Sequence, residues 1–118
     1  MWVVVVAFVV GAAVMFSFTE VKQKYHSSSN DPHDTMGNHI KTLTRQAARW
    51  SVASAQDESP MVAVLHANYG AGYLWALKDI ATDQQISSAT GIDISKFQKE
   101  ITNIQDKATV KMIHACPE

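Results

Sequence analysis

The stretch SPMVAVLHANYGAGYLWALKDIA, residues 59–81, reads as a single helix whose start is written into the chain. Ser59 is a good cap, and Pro60 occupies the first helical position, where a missing N–H is no loss. Asp57 and Glu58 lie beside the positive end of the helix dipole. Val62, Leu65, Tyr69, Gly72, Ala76 and Ile80 recur at three- and four-residue steps and make one face. Val64, Ala67, Ala71, Trp75 and Leu77 occupy much of another. A helix apolar on two sides is normally buried on two sides, so the spacing predicts a central helix touching both of its neighbours. Gly70 and Gly72 each cost about 1 kcal/mol relative to Ala inside a helix. The expected compensation is the close approach of a neighbouring backbone.

Outward from this element the pattern stays helical. On the N-terminal side a helix is expected over about 35–56, capped by Asp34 or Thr35. Its apolar stripe is Met36, Ile40, Leu43, Ala47, Trp50 and Ser54, with Ser54 the one polar member. Gly37 and Asn38 weaken the first turn and argue for a later start. On the C-terminal side a short helix over 83–90 is expected, with Asp83 as its cap and Gly91 just past its end. A last helix starts after Asp93 and runs to about Ala115, with Phe97, Ile101, Ile104, Ala108, Met112 and Ala115 on one face and Pro117 beyond it. No period-two pattern occurs, and the connections are short. The expected domain, 35–118, is an all-α antiparallel three-helix bundle.

Residues 1–21 have a different character. The run MWVVVVAFVVGAAVMFSFT has no charged side chain before Glu20. About 20 helical residues span the roughly 30 Å hydrocarbon core of a bilayer. Three readings compete: a single transmembrane helix, a cleaved secretory signal and a buried core helix. A signal usually has a basic leading region and small residues at its cleavage site. Here no Lys or Arg precedes Lys22, and Phe16 and Phe18 stand where small residues would be wanted. The transmembrane reading is preferred, with Trp2, Val5, Phe8, Gly11 and Phe16 as anchor residues in contact with the lipid bilayer. Gly11, Ala12 and Ala7 form a small-residue patch that can admit a second helix. Lys22 and Lys24 just past the run put the C-terminal domain on the cytoplasm-like side of the membrane. Residues 22–34 form a linker, whose HSSSNDP segment has no apolar period.

A net charge of −1 provides no field that would select nucleic acid. The single Cys116 cannot form an internal disulfide, and no Asn-x-Ser/Thr acceptor is present. No phosphate-binding glycine loop, nucleophile elbow or His-Glu-x-x-His is found, so no catalytic residue, metal or cofactor is expected. His114 is expected to interact with the negative end of the last helix, and Cys116 to fill space as a small apolar group. His66, with Asn68, Tyr69 and Tyr73, is expected to form a polar cluster that fixes helix register. Lys41, Arg45 and Arg49, spaced by four, give the first bundle helix a basic edge for anionic headgroups or an acidic neighbour. Ala67, Gly70 and Ala71 are a small-residue face for a protein partner.

The segment His66–Ile80, HANYGAGYLWALKDI, together with Gln105-Asp106-Lys107 and Cys116-Pro117, resembles small proteins of large marine DNA viruses. The resemblance spans roughly 57–117 and has no chemistry attached. It implies a minor structural component of a membrane-containing virion and transfers no functional residue. The sequence therefore points to a non-enzymatic, membrane-anchored interaction subunit that positions other protein subunits in a membrane-associated assembly. The alternative is a cofactor- or metal-binding accessory subunit of a membrane redox complex, using His66 or the His114/Cys116 end.

Overall fold

In α1 (Thr35–Gln56) the first turn is closed by Asp34, whose Oδ1 accepts the Gly37 N–H at 2.8 Å. A Cβ on Gly37 would lie 2.0 Å from Asp34 Oδ2. The glycine that argued for a later start is thus what lets the cap fold back onto the helix. The computed structural model describes residues 34–116. The expected anchor, with Trp2, Val5, Phe8, Gly11 and Phe16, and linker residues 22–33 lie outside them. Three further helices follow: α2 (Pro60–Ile80), α3 (Asp83–Thr90) and α4 (Ile94–Ala115). All-α architecture holds throughout the described residues, with no strand, and none of these helices is long and apolar enough to cross a membrane.

Helix α2 is central, packing against both α1 and α4. Its partners run antiparallel to it. Ser54 of α1 donates its hydroxyl to the Ala63 carbonyl at 2.6 Å, while nearer the middle of both helices Ser51 lies against Gly70. Gln105 of α4 donates to Asn68, and Lys78, near the other end of α2, donates to Gln98. The α1–α2 hairpin turns at Asp57–Ser59, so Thr35 sits at the end of the bundle where α2 finishes.

The buried face of α2 is Ala63, Ala67, Gly70, Ala71, Leu74 and Leu77. That of α1 is Gly37, Ile40, Lys41, Thr44, Ala47, Ala48, Ser51 and Ser54. Both are rich in small residues because the two helices approach closely. A Cβ on Gly70 would fall 2.3 Å from Ser51 Oγ and 3.1 Å from the Ala47 carbonyl oxygen. The expected stripe of α1 is accordingly rotated: Ile40, Ala47 and Ser54 are buried, Leu43 and Trp50 are half-buried at its flank, and Met36 is exposed. Small polar side chains enter the seam, and Thr44 returns its hydroxyl to the Ile40 carbonyl four residues back. Ser51 Oγ, fully buried against Gly70, has no hydrogen-bond partner among the described residues.

Helix α3 belongs to the core rather than to a connection. Its cap is Thr82 and not Asp83, because the Thr82–Gln85 capping box fixes the start one residue earlier, and Gly91, at φ 71°, ends it in the left-handed region that glycine tolerates. Between them Ile86 is wholly buried and packs with the central cluster. In α4, Asp93 caps by accepting from the Ser95 and Lys96 amides, and Phe97, Ile101, Ile104 and Ala108 are buried. The rest of the expected face stops there: Met112 is half-buried and Ala115 exposed. Lys111 already reaches the Asp57 carbonyl in the α1–α2 turn, so the last turn of α4 extends past the bundle and leaves Val110 and Ile113 exposed.

Candidate functional site

Where α1 and α2 cross near their shared turn, one side-chain cluster forms around His66. Its Nδ1 lies 2.7 Å from Asp57 Oδ2, and both side chains are about four-fifths buried. The Trp50 ring stands 5.0 Å from the imidazole and 5.4 Å from Tyr69, edge-on to the latter. Arg49 places its guanidinium 5.4 Å from the Trp50 ring centroid, within cation–π range. The expected partners of His66 are only partly realised. Tyr69 is beside it, but Asn68 instead accepts from Gln105 on α4, and Tyr73 packs against the core. Trp50 and Asp57 were missed, although an antiparallel hairpin turning at 57–59 places residue 50 across from residue 66.

The cluster orients a histidine without supplying it a reaction partner. A neutral His66 that donates Nδ1–H to Asp57 leaves Nε2 as an acceptor. Of the nearby serines, Ser54 donates its hydroxyl to the Ala63 carbonyl, while Ser51 is buried against Gly70. Among the described residues no three His, Cys, Asp or Glu side chains converge as a metal site would require. His114 and Cys116 are both exposed at the C-terminal end of α4, so Cys116 does not fill the space expected of it. A cleft of about 140 Å³ lies between Ser54, Ala55 and Ala63 on one side and Ile104, Lys107, Ala108 and Lys111 on the other. That is well under the roughly 300–1,000 Å³ of sites for drug-sized ligands.

The proposed partner-binding residues are distributed differently from their expected arrangement. Ala67, Gly70 and Ala71 are not an outward face: Ala67 is 1% exposed and Ala71 5%, and all three are buried inside the bundle, Gly70 directly against α1. The basic edge is divided. Lys41 is 7% exposed, its stem folded into the bundle, while Arg45 and Arg49 face solvent.

What α2 does present is its opposite side, although both of its apolar faces were expected to be buried. Met61, Leu65, Tyr69, Trp75 and Ile80 are all exposed, with Trp75 at 52% and Met61 at 67%. Gly72 lies among them, and a Cβ built on it would meet nothing within 4 Å. From Met61 to Leu77 the helix carries no charged side chain other than His66 if protonated. Large apolar side chains scattered singly on a surface are ordinary, whereas here several share one side of a single helix. The row comprises 61, 65, 69, 72, 76 and 80, a helical stripe that runs the length of α2.

Compared with protein-family models, with curated proteins and with solved structures, the chain matches none.

Proposed function

We propose that this protein is a non-enzymatic interaction subunit, held to a membrane by residues 1–21, that positions other protein subunits through the outer face of α2. The observation that carries this reading is the set of exposed apolar side chains along the central helix of the bundle. A fold that buries Ala63, Ala67 and Leu74 inward and leaves Leu65, Tyr69 and Trp75 outward keeps its largest contact surface for something else. Aromatic anchors of this kind dominate binding at protein interfaces. The uncharged run Met1–Thr19 supports the membrane half of the reading, because its length suits a bilayer core. Arg45 and Arg49 add exposed positive charge that suits anionic headgroups or an acidic partner.

The C-terminal domain then sits on the cytoplasm-like side, with the bilayer and neighbouring protein subunits as its partners and no role for nucleic acid. A minor structural protein of a membrane-containing virion is the setting that the viral resemblance implies. Membrane partitioning tests the reading: the full chain should resist alkaline carbonate extraction, and a chain starting at Lys22 should be released. Release of both contradicts the anchor.

A further inference from the structure

We propose that the outer face of α2 pairs with the same face of a second copy of this chain, the two helices running in opposite directions about a two-fold axis level with the midpoint of Tyr69 and Gly72. This rests on the reading of that face as an interaction surface and names its partner.

Side-chain size along the face sets the direction. Met61, Leu65 and Tyr69 fill its first half, and Gly72 and Ala76 follow before Ile80 closes it. A two-fold pair brings a patch against its own copy, so the patch must be complementary to itself. Helices running the same way would set Tyr69 against Tyr69 and Gly72 against Gly72, bulk on bulk beside gap on gap. Opposite directions remove both faults. One axis then sets Tyr69 over the partner's Gly72, Leu65 over the partner's Ala76 and Met61 beside the partner's Ile80. The three pairs share that axis because their positions have a common midpoint along the helix.

Gly72 is the point of closest approach. Gly70 has the α1 backbone against it, whereas a Cβ on Gly72 would meet nothing within 4 Å in its own bundle. A glycine inside a helix costs about 1 kcal/mol relative to Ala, and the ring of the partner's Tyr69 supplies the neighbour that the bundle does not. Tyr69 is already oriented for the role. Its ring stands 5.4 Å from Trp50 and 6.2 Å from His66, so less side-chain freedom is lost on docking. Charge agrees with self-pairing. Near a two-fold axis a charge meets its own copy, and from Met61 to Leu77 no side chain carries a fixed charge.

Area sets the strength. Met61, Val62, Leu65, Tyr69, Trp75 and Ile80 range from 37% to 67% exposed. Half of six large side chains is about 550 Å² per chain. Two such faces bury about 1,100 Å², enough for a specific pair and short of the roughly 1,600 Å² of a standard interface. The pair is therefore reversible. Copies isolated one to a micelle unfold as single bundles, and crowded copies associate.

Sedimentation equilibrium of the full chain carrying Cys116→Ser, in density-matched micelles, reads the pairing as the protein-to-detergent ratio rises. A reversible monomer–dimer equilibrium is expected. Gly72→Leu makes the face more apolar and places its side chain where its own bundle has open space. It should leave urea unfolding at low ratio cooperative, yet weaken the dimer about ten-fold or more by filling the seat of the partner's Tyr69. A dimer that Gly72→Leu leaves unchanged or tightens overturns the pairing. Direction is read by mixing full chains carrying Leu65→Cys with full chains carrying Ala76→Cys, all with Cys116→Ser, and oxidising them. A disulfide forms only where Cα atoms come within about 7 Å. The mixed product should exceed both self-products several-fold, and self-products in excess overturn the opposed directions. A chain that unfolds cooperatively but stays monomeric at every ratio overturns the second copy and leaves the face to a different protein. Loss of cooperative unfolding in Leu65→Gln at low ratio instead overturns the reading of the face as an interaction surface, because Leu65 would then belong to the core.

Discussion

The two faces of α2 invert the usual relation between side-chain size and burial. The inward face is Ala63, Ala67, Gly70, Ala71, Leu74 and Leu77, and the outward one carries Met61, Leu65, Tyr69, Trp75 and Ile80. Both are apolar, so hydrophobicity alone does not choose between them. Distance does. Helix α1 approaches until Ser51 and the Ala47 carbonyl abut Gly70, and only small side chains fit a seam that close. Met61, Leu65, Tyr69, Trp75 and Ile80 stay exposed.

The contrast is sharpest for leucine. Leu74→Ala should remove about 2–5 kcal/mol of stability, because Leu74 is buried among core residues that cannot collapse onto the gap. Leu65→Ala should change the stability of the bundle by less than about 0.5 kcal/mol. Urea unfolding of the full chain in detergent micelles, followed by circular dichroism, measures both. Equal losses would erase the distinction between the faces.

The glycines give the next largest effect. Gly70→Ala should destabilise by about 1–3 kcal/mol through overpacking against Ser51 and Ala47. Combining it with Ser51→Ala should recover part of that loss, since the nearest obstacle is the Ser51 hydroxyl and that hydroxyl has no hydrogen-bond partner of its own among the described residues. A full loss that Ser51→Ala leaves untouched would mean that the backbone, rather than the hydroxyl, sets the approach.

At the α1–α2 crossing, Asp57→Ala should cost about 1 kcal/mol, as a half-shielded histidine loses its hydrogen-bond partner. The change should also alter Trp50 fluorescence, because the His66 ring packs against the indole. The smallest effect is expected on the outer face. Gly72→Ala should stabilise the chain in micelles by up to about 1 kcal/mol, the intrinsic helix preference for Ala where nothing crowds the new methyl. Destabilisation there would mean that a neighbour already sits on the face.

Much of the helical layout was legible in local chemistry. Ser59-Pro60, Asp93 and Gly91 mark boundaries through caps that depend on neighbours two to four residues away, and the helices begin and end beside them. What the sequence concealed was which way each helix turns. The stripe Met36–Leu43–Trp50 and the stripe Ile40–Ala47–Ser54 share the same period, and only the proximity of α2 decides that the second goes fully inside. The same ambiguity put Ala67, Gly70 and Ala71 on a partner surface when they are buried inside the bundle. Gly70 and Gly72 look alike along the chain, yet one meets a backbone and the other meets nothing. The Trp50–His66–Asp57 grouping needed the pairing across the hairpin, which no single helix encodes. Lys41 shares its four-residue spacing with Arg45 and Arg49, but its position on α1 turns its stem into the bundle.

The claim that the outer face of α2 serves recognition and not folding is tested most directly by making that face polar. Met61→Gln, Leu65→Gln and Ile80→Gln together, in the full chain in detergent micelles, avoid every residue of the buried face and of the Trp50–His66 cluster. Urea unfolding should remain one cooperative transition, with helicity intact and the midpoint within about 1 kcal/mol of the parent. Loss of that transition would contradict the account, because it would make the outer face part of the core that holds the bundle together.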